Sequence, residues 1–258
     1  MENVNEKIAA IREHGYEIDF STIFNNAIEN YKKIALIAGL AFIVFGAIIS
    51  IFFIGGFAAI WGFSTITENM SQLDPKNFSG TTILIYTLSI SIFTGICAPF
   101  SAGILKMAYN ASKNDEFSLA TAFEYYKTSS FKDLFIATAV ISIISLGIST
   151  VLESLGIRYI GAILSYIISF LNFLTIPLII FGKLSAFESI KGSFIIVSKQ
   201  VFVLLGLLIV SAIMTCLGLI GFCIGIVFTF PFMYSMYFVI YNEIIGIDEK
   251  SELEAFLE

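Results

Sequence analysis

The sequence predicts an all-α integral membrane protein. Six transmembrane helices fall into three repeats, each an amphipathic interfacial helix plus a helical hairpin, with both termini on the cytoplasmic side. Three observations lead there. First, 57% of the 258 residues are apolar and only 13% are charged, at a mean hydropathy of +0.91. A soluble domain of that length has no interior large enough for so much apolar surface, so lipid must solvate part of it. Second, one short pattern occurs three times, as Ala27-Ile28-Glu29-Asn30-Tyr31-Lys32, Ala122-Phe123-Glu124-Tyr125-Tyr126-Lys127 and Ala186-Phe187-Glu188-Ser189-Ile190-Lys191. Each copy precedes an apolar stretch, and each is followed further on by a proline in a second one: Pro99, Pro177 and Pro231. Third, of the 14 Lys and Arg residues only Lys76 and Arg158 fall on the opposite side of the spans from the rest. The positive-inside rule places the crowded side in the cytoplasm of a bacterial inner membrane.

Residues 1–19 are polar and carry no apolar core of a signal peptide, so the first span is expected to act as the targeting signal. The membrane domain then covers 20–243, with repeats at about 20–109, 115–183 and 184–243, and an acidic tail closes the chain at 244–258. A span needs about 20 apolar residues to cross about 30 Å of hydrocarbon. Stretches of that length lie at roughly 34–60, 82–107, 134–153, 160–182, 201–217 and 221–243. Trp61 is the expected interfacial anchor of the first. The last two are separated only by Gly218-Leu219-Ile220-Gly221 and should form a tight hairpin.

Ahead of the first hairpin, Phe20, Ile23, Phe24, Ala27, Ile28 and Tyr31 follow helical spacing. Leu119, Ala122, Phe123 and Tyr126 do so ahead of the second, and Leu184, Phe187, Ile190 and Phe194 more weakly ahead of the third. Helices of this kind lie in the headgroup plane with the apolar face down. The prolines should kink the even-numbered spans, since each removes one backbone hydrogen bond.

Several groups are candidates for function. Lys32, Lys33, Lys127, Lys132, Lys183, Lys191 and Lys199 flank the interfacial helices and suit acidic lipid headgroups, each contributing about 1 kcal/mol near an anionic leaflet. The same residues also serve ordinary topology. Asn172 and Thr175 form the most polar mid-span site, read either as an interhelical hydrogen bond or as part of a pathway. Gly218, Gly221 and Gly225 suit close packing of the last hairpin or self-association. Tyr234, Tyr237 and Tyr241 suit an aromatic belt at the interface. The acidic tail either docks on the basic loops or a partner, or frays. Asn69 and Asn77 begin glycosylation tripeptides with no meaning in a bacterium.

Metal and catalytic chemistry find little here. Cys97, Cys216 and Cys223 sit in apolar segments without ligand spacing, and His14 is the only histidine. No nucleophile–base pair, metal set or phosphate loop is recognisable, so neither an enzyme nor a cofactor is expected, and nothing points to nucleic acid. The leading expectation is a non-enzymatic protein that organises membrane lipid, anionic in particular, or a membrane-protein partner or second copy, through its cytoplasmic helices. The competing one is a small-molecule or ion transporter or channel built on the proline-kinked even-numbered spans.

Ile176-Pro177-Leu178-Ile179-Ile180, then Ala186-Phe187-Glu188-Ser189 and Ser193, and finally Gly218, Gly221, Gly225 and Pro231 carry a family likeness. Through them the chain resembles a broad group of uncharacterised six-span bacterial membrane proteins. That group includes the membrane domain fused to some glycerophosphodiester phosphodiesterases. The resemblance implies a membrane module without the soluble phosphodiesterase chemistry. Similar sequences are often labelled β-carotene monooxygenases. Iron-dependent carotenoid cleavage needs several histidine ligands, which a chain with His14 alone does not supply.

Overall fold

A computed structural model describes residues 4–61, 79–221 and 224–247. The Trp61 and Arg158 side chains, positions Asn69, Pro75, Lys76 and Asn77, Cys223 and the tail 248–258 lie outside the described residues. Within them all regular structure is helical. The elements are α1 (Val4–His14), α2 (Phe20–Trp61), α3 (Gly80–Lys113), a 3₁₀ segment (Leu119–Tyr126), α4 (Phe131–Ser154), α5 (Arg158–Leu171) and α6 (Thr175–Ile180). They continue with α7 (Ala186–Lys199), α8 (Val201–Cys216), a 3₁₀ turn (Leu217–Gly221), α9 (Ile224–Thr229) and α10 (Pro231–Ile244).

Five segments are long and apolar enough to cross a bilayer: Phe20–Phe52, Gly80–Lys113, Phe131–Ser154, Tyr159–Ile180 and Val201–Leu219. That is the mark of a multi-pass membrane protein. In the first only 22% of the most apolar window is buried within the protein, and in the second 33%. The rest of that apolar surface is outward, where only lipid can solvate it. The expected sixth stretch is divided at Phe230 into α9 and α10.

The three copies of the recurrent pattern share a burial pattern but not a conformation. Ala27, Ala122 and Ala186 are all buried, while Glu29, Glu124 and Glu188 face outward. The first copy does not form the separate interfacial helix expected of it. It is the opening of the unbroken 42-residue α2, because nothing between Asn30 and Ile34 interrupts a helix. The second copy is the 3₁₀ segment, started by a reciprocal Ser118–Thr121 cap. Only the third is a distinct α-helix, α7. Its Ser185 hydroxyl and N–H both bond the Glu188 carboxylate, the reciprocal capping arrangement that begins a helix cleanly.

The prolines also differ from one another. Pro99 lies inside α3, which runs on through it, whereas Pro177 follows a break in the fourth span and Pro231 opens α10. All three are buried. Next to Pro99, Phe100 stacks on Phe45 with ring centroids 4.0 Å apart and meets Phe42 edge-on at 5.1 Å. These rings hold α2 to α3, and Phe42 reaches Phe230 at 5.1 Å to bring in the start of α10.

A polar node lies deeper toward the lysine-bearing end. Asn30 Nδ2 donates to the Ala108 carbonyl at 2.7 Å, and the Ser235 hydroxyl donates to Asn30 Oδ1 at 2.9 Å. One buried amide thus joins α2, α3 and α10. The polar N-terminal segment is itself helical. Ile8 and Ile11 bury the inner face of α1 against α7, and Lys7 Nζ donates to the Ile245 carbonyl just past α10.

Two predictions follow from these contacts. A methyl at Gly103 would fall on the Ala122 backbone, whereas one at Gly46 would meet open space. Gly103→Ala should therefore destabilise by about 1–3 kcal/mol and Gly46→Ala should raise stability slightly, as read from thermal melts in one detergent. The Thr22 hydroxyl and N–H hold the Asp19 carboxyl below its ordinary range, and the Ser185 hydroxyl and N–H do the same for Glu188. Both depressed groups stabilise fully above the ordinary carboxylate range and lose that contribution as pH falls through their lowered values. The Asp19→Asn, Glu188→Gln double variant should show a shallower fall of melting temperature below about pH 5.

Candidate functional site: a hydroxyl-lined cavity at a broken span

The fourth span does not run as one helix. α5 ends at Leu171, residues 172–174 form turns, and α6 begins at Thr175. Pro177 has no N–H to offer the carbonyl of Phe173, and over 172–174 the backbone turns through tighter bonds, Phe173 N–H to Phe170 O and Thr175 N–H to Asn172 O, so several helical bonds go unmade here. In an apolar surround the freed groups must find other partners. Ser193, fully buried on α7, supplies two of them. Its hydroxyl donates to the Leu171 carbonyl at 2.9 Å and accepts from the Leu174 N–H at 3.2 Å.

Beside the break lies a cavity of about 500 Å³. α3 lines it with Thr94 and Ser101, and α4 with Thr138, Ser142 and Ser145. α5 adds Ser165 and Ser169, the break adds Asn172 and Thr175, and α10 adds Tyr234 and Tyr237. Ile90, Leu105, Ile141, Leu146, Phe173 and Ile176 complete the wall. No Asp, Glu, Lys, Arg or His is among the lining residues. Part of the hydroxyl surface is tied up internally: Ser91 donates to Ser142 at 3.2 Å, and the Ser101 and Tyr234 hydroxyls are hydrogen-bonded to each other at 3.2 Å. Asn172 Oδ1 and Thr175 Oγ1 are buried with no partner.

The reading of Asn172 and Thr175 as an interhelical hydrogen bond is corrected here. Asn172 Nδ2 donates to the Ile168 carbonyl one turn back on its own helix, at 2.8 Å. The aromatic-belt reading of the tyrosines is corrected as well. Tyr241 is fully buried, and Tyr234 and Tyr237 face the cavity, because α10 is enclosed by α2, α3, α6 and α8.

The lysines named as headgroup ligands, Lys32, Lys33, Lys127, Lys132, Lys183, Lys191 and Lys199, are all exposed. They are not equivalent. Lys33 Nζ donates to the Ala111 carbonyl at 3.0 Å and to Asn114 Oδ1 at 2.8 Å, closing the end of α3. A cation at a helix C-terminus is favourable there, so this residue has a structural task. Lys191 instead shares a groove of about 260 Å³ between α1 and α7 with Arg12, Asn5 and Glu188. Gly218 and Gly225 bring the two sides of the last hairpin together, since a methyl on Gly225 would strike the Gly218 carbonyl. Gly221 ends the turn between them.

Composition alone missed Ser193 as the partner of the break. The signal was a polar residue 16 positions beyond Pro177, visible only as one of four serines between 185 and 198. Comparison of the chain with family models, curated proteins and solved structures gave no match.

Ser193→Ala leaves the Leu171 carbonyl and the Leu174 N–H without their partner and should cost about 1–3 kcal/mol. Ser211 is equally buried, but its hydroxyl has no partner. Ser211→Ala should leave stability unchanged or improve it, as measured by thermal melts beside the Ser193 variant.

Proposed function

We propose that this chain is a non-enzymatic six-span protein of a bacterial cytoplasmic membrane, with both termini cytoplasmic. Its working part is the cavity gathered by the proline-bearing even-numbered spans together with the third span, α4. In this reading α9 and α10 together are the sixth span. The single observation that carries it is the hydroxyl-lined, charge-free space beside a helix broken at mid-span. Irregular backbone at such depth is tolerated where it is covered by protein or lines a cavity, and broken helices of this kind are where transporters hold their cargo. The absence of charge from the lining favours an uncharged molecule over an ion or a proton relay. The resemblance to a membrane module without chemistry of its own fits a binding or passage role.

A second reading keeps the lipid-organising role at the lysine-bearing face. The groove lined by Arg12, Lys191 and Asn5 favours it, since its two cations outnumber the one carboxylate there, Glu188, and so suit an anionic headgroup. Native mass spectrometry of protein purified with its own lipids separates the two. A neutral molecule retained by the wild type and lost from Ser169→Phe, which fills the cavity, supports the first reading. Acidic lipid lost only from the Lys32/Lys127/Lys191→Gln variant moves the role to the second.

A further inference from the structure

Resting on the cavity reading above, the chemistry of the two unpartnered groups narrows what the cavity takes. Thr175 is 1% exposed, and its hydroxyl bonds nothing in the protein. Asn172 Oδ1 is likewise buried and unpartnered. The donation from Asn172 Nδ2 to Ile168 settles which way the amide is turned, so it is the oxygen that is left over. Both residues line the cavity, and they sit at the one place where the helix is open. Among the described residues Thr87, Ser211 and Tyr241 also bury a hydroxyl without a partner, but only Asn172 and Thr175 line this cavity, within one turn of each other, and such costly groups side by side call for a common cause.

An amide oxygen can only accept, so its partner must bring a proton. A threonine hydroxyl can give or receive. One hydroxyl group meets both demands at once, donating to Asn172 Oδ1 and accepting from Thr175. A carboxylate could accept from Thr175 but offers nothing to Asn172 Oδ1, and an ammonium, which could donate to both, would bring a charge into a space with no counter-charge, which is prohibitive at this depth. The isoleucine, leucine and phenylalanine share of the wall asks for an apolar body on the same molecule.

We propose that Asn172 and Thr175 are the recognition pair of this cavity, and that its ligand is an uncharged molecule bound by a hydroxyl group. Two sources carry that chemistry: a neutral glycerolipid such as diacylglycerol, entering from the bilayer, and a small polyol such as glycerol, entering from water. The apolar wall favours the first. Ser193 acts on the site only as a positioning residue, holding open the backbone turn that presents the pair.

The test uses the full chain in lipid nanodiscs, with labelled dioleoylglycerol and labelled glycerol as probes and phosphatidic acid as a charged comparison. Thr175→Val keeps the side-chain shape and removes the hydroxyl, and Asn172→Leu removes the acceptor. Each should weaken binding of the hydroxyl-bearing probe by about tenfold and leave phosphatidic acid unaffected. Thr175→Ser should restore most of the affinity. In the absence of probe, Thr175→Val should melt at or above the wild-type temperature, because the hydroxyl it deletes has no partner to lose. Saturable glycerol binding without diacylglycerol binding would assign the aqueous source of the same chemistry.

The proposal is overturned if a neutral probe binds and is lost in Ser169→Phe but not in Thr175→Val or Asn172→Leu. The cavity reading would survive that outcome. It is also overturned if Thr175→Val lowers the melting temperature with binding unchanged, the signature of two groups satisfied by ordered water only. If neither probe binds and Ser169→Phe changes nothing, the cavity reading falls with it.

Discussion

Everything in this fold bends around one constraint: a backbone carbonyl or N–H facing hydrocarbon has no water to turn to. The long unbroken helix α2 meets it internally, and α3 does so but for the one bond withheld at Pro99. The fourth span cannot, because Pro177 withholds a donor and the chain opens into turns over residues 172–174. The Ser193 hydroxyl closes two of the resulting gaps from α7. That requirement brings α7 against the break, which in turn brings α1, since α1 packs on α7. Asp133, at the start of α4, accepts from the Ala186 N–H at the start of α7 and fixes the same helix from its other end. A single interruption thereby organises the fourth span, the third copy of the recurrent pattern and the N-terminal helix.

The remaining helices are held by shape and by one amide. Phe100 is wedged between Phe42 and Phe45 beside Pro99, so that proline lies where α3 is already supported from two sides. Asn30 bonds α3 and α10 at once. Burying such a group is unfavourable unless its hydrogen bonds are made, and here donor and acceptor are both engaged. The contrast with Asn172 is informative. The same side chain, similarly removed from water, is complete at one site and half complete at the other. The incomplete one faces a cavity. Structural duty accounts for Asn30; it does not account for the free oxygen of Asn172.

Much of this was legible beforehand, for identifiable reasons. Helix and membrane class follow from composition and from apolar runs of span length, which do not depend on how the spans pack. The alanine of each recurrent copy is buried and the glutamate exposed, as spacing on a helical face implies. What spacing does not carry is continuity. Phe20–Tyr31 reads as an amphipathic helix whether it lies flat or continues a span; the uninterrupted run past Asn30 permits the latter, and α10 packs along α2 in that form. Similarly, each copy places a glutamate three residues ahead of a lysine, close enough to pair on a helix. Yet in the third copy Glu188 is claimed by Ser185. Local rules list the partners a side chain can have; competition among neighbours chooses one.

The sequence by itself determined that the chain is helical, that it offers more apolar surface than its own interior accepts, and that the polar groups near the centres of its spans are hydroxyls and amides without charge. These are sums over residue types, indifferent to arrangement. Only the tertiary structure decided that serines and threonines scattered over four helices face one space, and that a serine 22 positions from Leu171 completes its hydrogen bond. It alone showed that two polar atoms at the break have no partner at all. Convergence and vacancy are relations between distant residues, and a relation of that kind exists only once the chain has folded.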